Sequence, residues 1–337
     1  APSAFIYIKN KSDEFHGELK CRVLFSYARH PLRAIGKQVG RALNVCISVG
    51  KSNMNTFEML KTSDLKAWVH ETNHSLRHKH IRDRDNLKLW ELDVREMFPR
   101  LPRGNVHNVF ERPPSADTPW CAEWGVWEAF QLQGLRAWEA QGRRFTAGAP
   151  WIALNKYSRK WDRLGKGYDN FSNLSWTDVR NYMMFDIFFN DIFVLGGQVL
   201  RQKRGVAIGG FCSAQCASIY CMQREDFWHR HLQDKTVPWC QDTNTLGRRR
   251  VALSLHCRPY RFRDNMVGVR SGKSSIQSVC QYFQRVLGVE LQVEGEGKTW
   301  TNLEGCMSVH NSQIDLRLKT KMTWDVPEHR RLLRFPD

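Results

Sequence analysis

The sequence predicts an α+β fold, an antiparallel sheet backed by helices, and three of its features lead there. Strand-like runs close in turn chemistry: Leu87 to Val94 ahead of Pro99 and Pro102, and Arg258 to Phe262 ahead of Asp264-Asn265. Two further arms, Ile192 to Leu195 and Gln198 to Arg201, flank Gly196-Gly197, a two-residue turn signal that joins antiparallel neighbours. Between these runs, apolar residues recur at helical spacing over stretches long enough to cover a sheet face. At 337 residues the chain exceeds the usual size of one domain, so two or three subdomains are expected.

From the N-terminus, Phe5 to Lys9 and Cys21 to Phe25 suit short strands joined by a polar turn around Asn10 to Gly17. Pro31 stands where a helix can begin, and Leu32, Ile35, Val39, Leu43 and Cys46 follow at helical spacing. Arg33, Lys37 and Arg41 share another face at i, i+4 and i+8, which reads either as solvated or as phosphate-facing. From about Gly104 to Trp176 the chain is dense in tryptophan, including Trp120, Trp124, Trp127, Trp138, Trp151 and Trp161, interleaved with Arg143, Arg144, Lys156, Arg159 and Lys160. A local core is expected to bury most of these rings, leaving one or two exposed to stack on bases. Ser175 and Asp178 have capping-box spacing and start a helix running towards Asn190, whose nearly continuous apolar residues imply burial. After the Gly196-Gly197 hairpin, Gly205, Gly209 and Gly210 are expected to take positive φ and let backbone approach a ligand. Ala214 to Phe227 then reads as a buried helix rich in small residues. Val251 to His256 suits a strand and Ser274 to Leu287 a helix, followed by strands at Val289 to Val293 and Cys306 to Val309 about a Gly-Glu-Gly turn.

The net charge of +17 exceeds what an ordinary solvated surface needs and suits a polyanionic partner, because each lysine or arginine set on a phosphate releases counterions. No apolar run reaches the ~18 residues of a membrane-spanning helix. The opening Ala1-Pro2-Ser3 has neither an initiator methionine nor a signal-peptide core, as expected of a processed piece or an excised domain. Ten cysteines are widely spread in a chain too large to need a disulfide framework, so reduced thiols in an intracellular compartment are expected. Cys212, Cys216 and Cys221 with His229 or His231 suggest zinc, yet no C-x2-C pair supports it, and core packing is the expectation.

Three ordered segments carry chemistry: Leu92-Asp93-Val94-Arg95-Glu96-Met97-Phe98, then Gln202 through Gly210 running on to Ser213, then Phe262-Arg263-Asp264-Asn265. The first and third each offer an aspartate where a strand ends or turns, and the second is a glycine-flexed loop opening onto a helix. Two carboxylates suit two divalent metals, which about 4 Å apart activate a 3′-hydroxyl and stabilise the leaving pyrophosphate of an in-line displacement. In this order the segments resemble reverse transcriptases, the RNA-directed DNA polymerases, and most of all the Penelope-like retroelement group, whose pattern runs DVxxMFxxIP, QxxGVAMGSPLSP and YxDD. Asp93 to Pro102 follows the first with Leu101 for Ile. Gln202 to Ala214 follows the second with Ile208 for Met, Gly210 for Ser, Ser213 kept and Ala214 for the final Pro. In the third, Asn265 replaces the second Asp. Upstream, Lys20-Cys21-Arg22-Val23-Leu24-Phe25-Ser26 resembles the K-x-R-x-I-x-S strand of the fingers.

The resemblance implies a right-hand polymerase with fingers over residues 1–86 and a palm over 87–320 that carries the tryptophan-rich insertion at about 104–176. Residues 321–337 would begin a thumb or form a tail. It places two Mg2+ or Mn2+ ions on Asp93, Asp264 and the carbonyl of Val94, with Asn265 as a third catalytic position lacking one negative charge. Lys20 and Arg22 would neutralise the triphosphate, Gly209 and Gly210 contact the nascent pair, and Gln202 and Ser213 position template or nucleotide. Phe98 stands five residues after Asp93, where the family's aromatic blocks a ribose 2′-hydroxyl, so DNA is the implied product. An RNA template, a DNA primer, dNTP substrates, an intracellular, nuclear location and Arg33, Lys37 and Arg41 as the nucleic-acid face complete the expectation.

Two other classes compete. A polymerase fold weakened in catalysis and kept for RNA binding is favoured by Asn265, Gly210 and Ala214. A zinc metallopeptidase is suggested by His70-Glu71-Thr72-Asn73-His74 with His80 as third ligand, although Arg77 stands where that signature needs glycine. Gly297-Lys298-Thr299 and Gly272-Lys273-Ser274 resemble the end of a P-loop, but Gln292 and Val267 occupy the position of its first glycine.

Overall fold

The computed structural model describes residues 2–9, 20–28, 30–60, 62–78, 86–105, 124–140, 151–155, 161–162, 171–231, 259–271, 275–301, 305–311 and 313–318. The expected turn at 10–17, the strand at 251–256, the tail at 321–337, His80 and the basic residues of the tryptophan-rich segment lie outside these. In chain order the elements are β1 (Ser3–Lys9), β2 (Lys20–Ser26), α1 (Arg33–Asn53), α2 (Thr62–His78), β3 (Leu87–Val94), α3 (Met97–Arg100) and α4 (Val126–Ala140). There follow β4 (Trp151–Asn155), β5 (Trp161–Asp162), β6 (Phe171–Ser175), α5 (Trp176–Phe188), β7 (Ile192–Leu195), β8 (Gln198–Arg201) and α6 (Ser213–His231). The last are β9 (Tyr260–Phe262), β10 (Asn265–Ser271), α7 (Ile276–Leu287), β11 (Leu291–Gly297), β12 (Thr299–Thr301), β13 (Gly305–His310) and β14 (Gln313–Leu318). Among the described residues no helix is long and apolar enough to cross a membrane.

The chain divides into two compact units, Ala1–Thr56 with Glu96–Phe227, and Phe57–Arg95 with Trp228–Asp337. Each unit draws on two stretches of chain.

In the second unit β3 is central in the sheet order β11-β3-β10-β9, and it is antiparallel to both of its neighbours. Alternation along β3 explains its apolar character on both faces. Trp90 and Leu92 point one way, and Trp90 lies against Phe283 of α7 with ring centroids 5.5 Å apart. Leu87 and Leu89 point the other way, into a core shared with α2, β10 and the three-stranded sheet β12-β13-β14 through Leu65, Val69, Val267, Met307 and Ile314. The amphipathic α7 begins at Ser275, whose hydroxyl accepts from the Gln277 amide, and ends on Gly288 in the left-handed region. Neither α2 nor β14 was legible in the sequence. Another expectation is corrected here: Gly295-Glu296-Gly297 makes no turn but lies within β11, because a bulge between Val293 and Gly295 absorbs the extra residue.

In the first unit one sheet has the order β2-β1-β7-β8 and another the order β5-β4-β6. The expected strands near the N-terminus pair antiparallel from Ser3 with Ser26 to Lys9 with Lys20. Ser175 and Asp178 close the expected capping box, each side chain bonding the other's backbone amide at 3.0 Å. Gly196 and Gly197, both at positive φ, turn β7 into β8 in the expected register. This hairpin is unusually bare, with Ile192 46% and Val199 71% exposed. α1 packs on α4 and α5. Trp127 of α4 is fully buried, as expected of the local core, with the Arg180 guanidinium over its ring.

Gly268 faces Trp90 across the β10–β3 pair, and a Cβ at position 268 would overlap the indole ring. Gly268→Ala is expected to cost about 1–3 kcal/mol through overpacking, read as a lowered midpoint in denaturant unfolding. An unchanged midpoint would mean the Trp90 ring moves aside freely.

Candidate functional site

In the second unit the two candidate carboxylates lie at one end of the central sheet. Asp93 is the penultimate residue of β3; Asn265 of β10 is its register partner on one side and Gln292 of β11 on the other. Partners directly across antiparallel strands share a face, so a single carboxylate stands in a row between two carboxamides. The Gln292 amide donates to Asp93 Oδ2 at 3.2 Å and also to Glu294 Oε1. No motif marks Gln292 for this place; only the β11 register reveals it.

Asp264 sits in the turn between β9 and β10, although not as the turn chemistry suggested. Phe262 pairs with Asn265, so the turn residues are Arg263 and Asp264, and Asn265 already belongs to the strand. Arg263 takes φ 58°, the left-handed conformation that a tight two-residue hairpin demands. The carbonyl of Asp264 accepts the Val94 amide at 3.0 Å, which ties the turn to the end of β3. Asp93 and Asp264 are hard oxygen donors. Among the described residues no three His, Cys, Asp or Glu side chains gather as a metal-holding group. One or two carboxylates with remaining positions for water and phosphate is the pattern that suits Mg2+, so the residues present fit that ion.

In the first unit the glycine-flexed loop is held from three sides. Val206 donates to the Phe98 carbonyl at 2.8 Å, and Phe25 of β2 donates to the Ile208 carbonyl at 2.9 Å. Arg103 grips the loop's start, donating to the carbonyls of Gly205 at 2.5 Å and Gln202 at 2.9 Å. Asp191, itself buried, pairs with Arg103 at 3.6 Å and with Arg201 at 2.8 Å. Burial draws the Arg103 pKa down, opposed by the Asp191 charge. Neither Arg103 nor Asp191 carried a motif, and their role emerges only from the loop's path.

The glycines serve this packing. Gly205 at φ 70° lies against the Phe98 and Pro99 carbonyls, and Gly209 at φ 96° has Phe25 O within 2.6 Å of where a Cβ would stand. Gly210 is not among the positive-φ glycines, contrary to expectation, and its close neighbour is the Ser213 hydroxyl. That hydroxyl donates to the Ala207 carbonyl, and the Gln202 amide donates to the Arg204 carbonyl at 2.8 Å, so both polar side chains brace the loop itself. Phe98 is half-buried in the short α3. Lys20 and Arg22 lie on β2, the strand whose Phe25 pins the loop. Arg33, Lys37 and Arg41 are all exposed on α1, opposite the buried Val39, Leu43 and Cys46, and Arg33 Nη1 also donates to the Ala28 carbonyl at 3.0 Å.

The competing zinc sets fare differently. His70, Glu71 and His74 are exposed on α2. Cys212, Cys216 and Cys221 are buried, as expected of core packing, and burial pushes the Cys212 and Cys216 thiols well up, away from the thiolate that binds metal.

No family model matches the sequence, and neither does any curated protein. Solved structures do match. Telomerase from Candida tropicalis, in complex with the TWJ fragment of telomeric RNA, aligns at a TM-score of 0.55 and 12% identity over 96% of this chain. Telomerase from Candida albicans, in complex with the same kind of fragment, aligns at 0.53 and 12% over 94%. This chain spans 45% of each of those chains. At such identity the likeness is one of fold alone, shared with part of these telomerase chains.

Proposed function

We propose that the chain is the polymerase domain of an RNA-directed DNA polymerase, adding dNTPs to a primer 3′-hydroxyl on an RNA template. The observation that carries this is Asp93 at the end of β3 and Asp264 in the adjoining hairpin turn, joined through the Val94 amide, in a chain of polymerase-like fold. Mg2+ or Mn2+ held by Asp93, Asp264 and the Val94 carbonyl would supply activation of the hydroxyl and charge stabilisation at the pyrophosphate. Gln292 orients the Asp93 carboxylate through the hydrogen bond its side-chain amide donates. Lys20 and Arg22 are assigned to the triphosphate, Gln202, Gly209, Gly210 and Ser213 to the loop beside the nascent pair, and Phe98 to exclusion of the 2′-hydroxyl. The spelling of the three motifs supports a Penelope-like origin, and the likeness in fold to RNA-bound telomerase chains supports RNA binding and a nuclear site of action.

Asn265 favours a second reading, a polymerase fold kept for binding RNA with weakened catalysis, since it leaves the Asp93 row one carboxylate short. Extension of oligo-dT on poly-rA with Mg2+ or Mn2+ separates the two. Incorporation supports the polymerase; tight RNA binding without incorporation supports the second reading.

Asp93→Ala and Asp264→Ala are each expected to abolish extension while RNA affinity stays at the wild-type value, because each removes a metal ligand and no phosphate contact. Asn265→Asp should preserve or raise the rate. Extension surviving in either alanine variant would remove the metal assignment.

Nucleic-acid binding is expected to weaken steeply with salt. Neutralising Arg33, Lys37 and Arg41 together should make the log–log slope shallower by up to ~3 units if each meets one phosphate. An unchanged slope would assign the three to a solvated face.

Phe98→Ala should raise ribonucleotide use relative to deoxyribonucleotide, measured as the ratio of kcat/KM for matched pairs, since discrimination is a difference in transition-state binding. A ratio equal to wild type would make Phe98 an ordinary packing residue.

A further inference from the structure

Beneath the Asp264 turn lies a buried ion pair. Arg261 of β9 has no solvent exposure and the Glu58 side chain is 3% exposed, with Arg261 Nη2 2.6 Å from Glu58 Oε2. The backbones are joined as well: Arg261 donates to the Phe57 carbonyl and accepts from the Met59 amide, both at 2.7 Å. Burying two charges costs several kcal/mol of desolvation, and apolar replacement of such pairs is often neutral or stabilising. Met59, Tyr260 and Val267 pack in the adjacent core.

What an apolar pair lacks is direction. The other arm of the guanidinium, Nη1, donates to the Arg263 carbonyl at 2.8 Å. That carbonyl belongs to the peptide plane entering Asp264, while the plane leaving Asp264 is held by the Val94 amide. With both flanking planes anchored, the Cα–Cβ direction of Asp264 is set, despite the left-handed backbone of Arg263. A planar fork can reach two acceptors in fixed geometry, whereas an ammonium cannot replace it in both.

We propose that Glu58 and Arg261 are a positioning pair for the reaction: Glu58 fixes the guanidinium, and the guanidinium fixes the turn that aims the Asp264 carboxylate. This rests on the reading of Asp264 as a metal ligand.

Two variants test it, Arg261→Lys, which keeps the charge but loses the fork, and the double variant Glu58→Leu/Arg261→Met, which removes the buried charges together. Hydrogen exchange of the peptide containing Val94 reads the turn without any activity, with the peptide containing Val309, bonded to the Lys298 carbonyl in another sheet, as internal control. Exchange at Val94 should accelerate in both variants while Val309 is unchanged. Mn2+ affinity by electron paramagnetic resonance and kcat for primer extension should each fall about 10- to 100-fold, with KM for dNTP nearly constant. A folded variant with wild-type exchange at Val94 and wild-type Mn2+ affinity would overturn the proposal. If wild-type protein neither extends primers nor loses Mn2+ on Asp264→Asn, the polymerase reading fails by itself, and the Val94 exchange then upholds or overturns the pair as the holder of the turn.

Discussion

Pairing of β3 on both edges is the constraint on which the candidate site depends. A strand with two antiparallel neighbours has its register set twice, and a slip of one residue against either would turn Asp93 to the opposite face. Each register is reinforced by packing particular to it. Against β10, the Trp90 indole lies over Gly268, a position where any side chain would collide. Against β11, Gln292 donates to Asp93 Oδ2 across the register, and beside it Trp300 Nε1 of β12 donates to Glu91 Oε2 at 2.6 Å. Large aromatic side chains thus locate a small acidic one that contributes little to the core.

The first unit solves a different problem. Its glycine-bearing loop has little regular structure between Gln202 and Gly210, so its shape comes from what grips it: backbone bonds to Phe98 and Phe25, and the Arg103 guanidinium at its start. Asp191 offsets the cost of holding Arg103 away from water. Gly205 and Gly209 are consequences of this crowding, because their neighbours are backbone carbonyls that cannot give way.

Where the determining signal was local, the sequence sufficed. Ser175 with Asp178, Gly196-Gly197 and the Leu87 to Val94 run each specify an element through neighbouring residues, and each was found where expected. Failures occurred where distant pairing decides. The Gly295 region looks like a turn but is held straight by β3, and the Asp264 turn shifts by one residue because Phe262 pairs with Asn265. α2 escaped notice because its histidines and charges dilute the apolar stripe of Leu65, Val69 and Leu76. At the candidate site, motif order singles out Asp93 and Asp264, whereas Gln292, Arg103 and the Glu58–Arg261 pair stand out only through contacts between distant stretches of chain.

The bare hairpin of β7 and β8 has a practical consequence. Among the described residues β8 is the outermost strand of its sheet, and its outer backbone edge runs beside exposed Val199 and Leu200. Such an edge is a template on which another chain can add a strand, and natural proteins guard it with charge. Here Lys203 and Arg204 follow, both exposed, so their mutual repulsion between copies opposes stacking. Screening by salt removes that protection, which makes colloidal behaviour in concentrated salt a property written into these few residues.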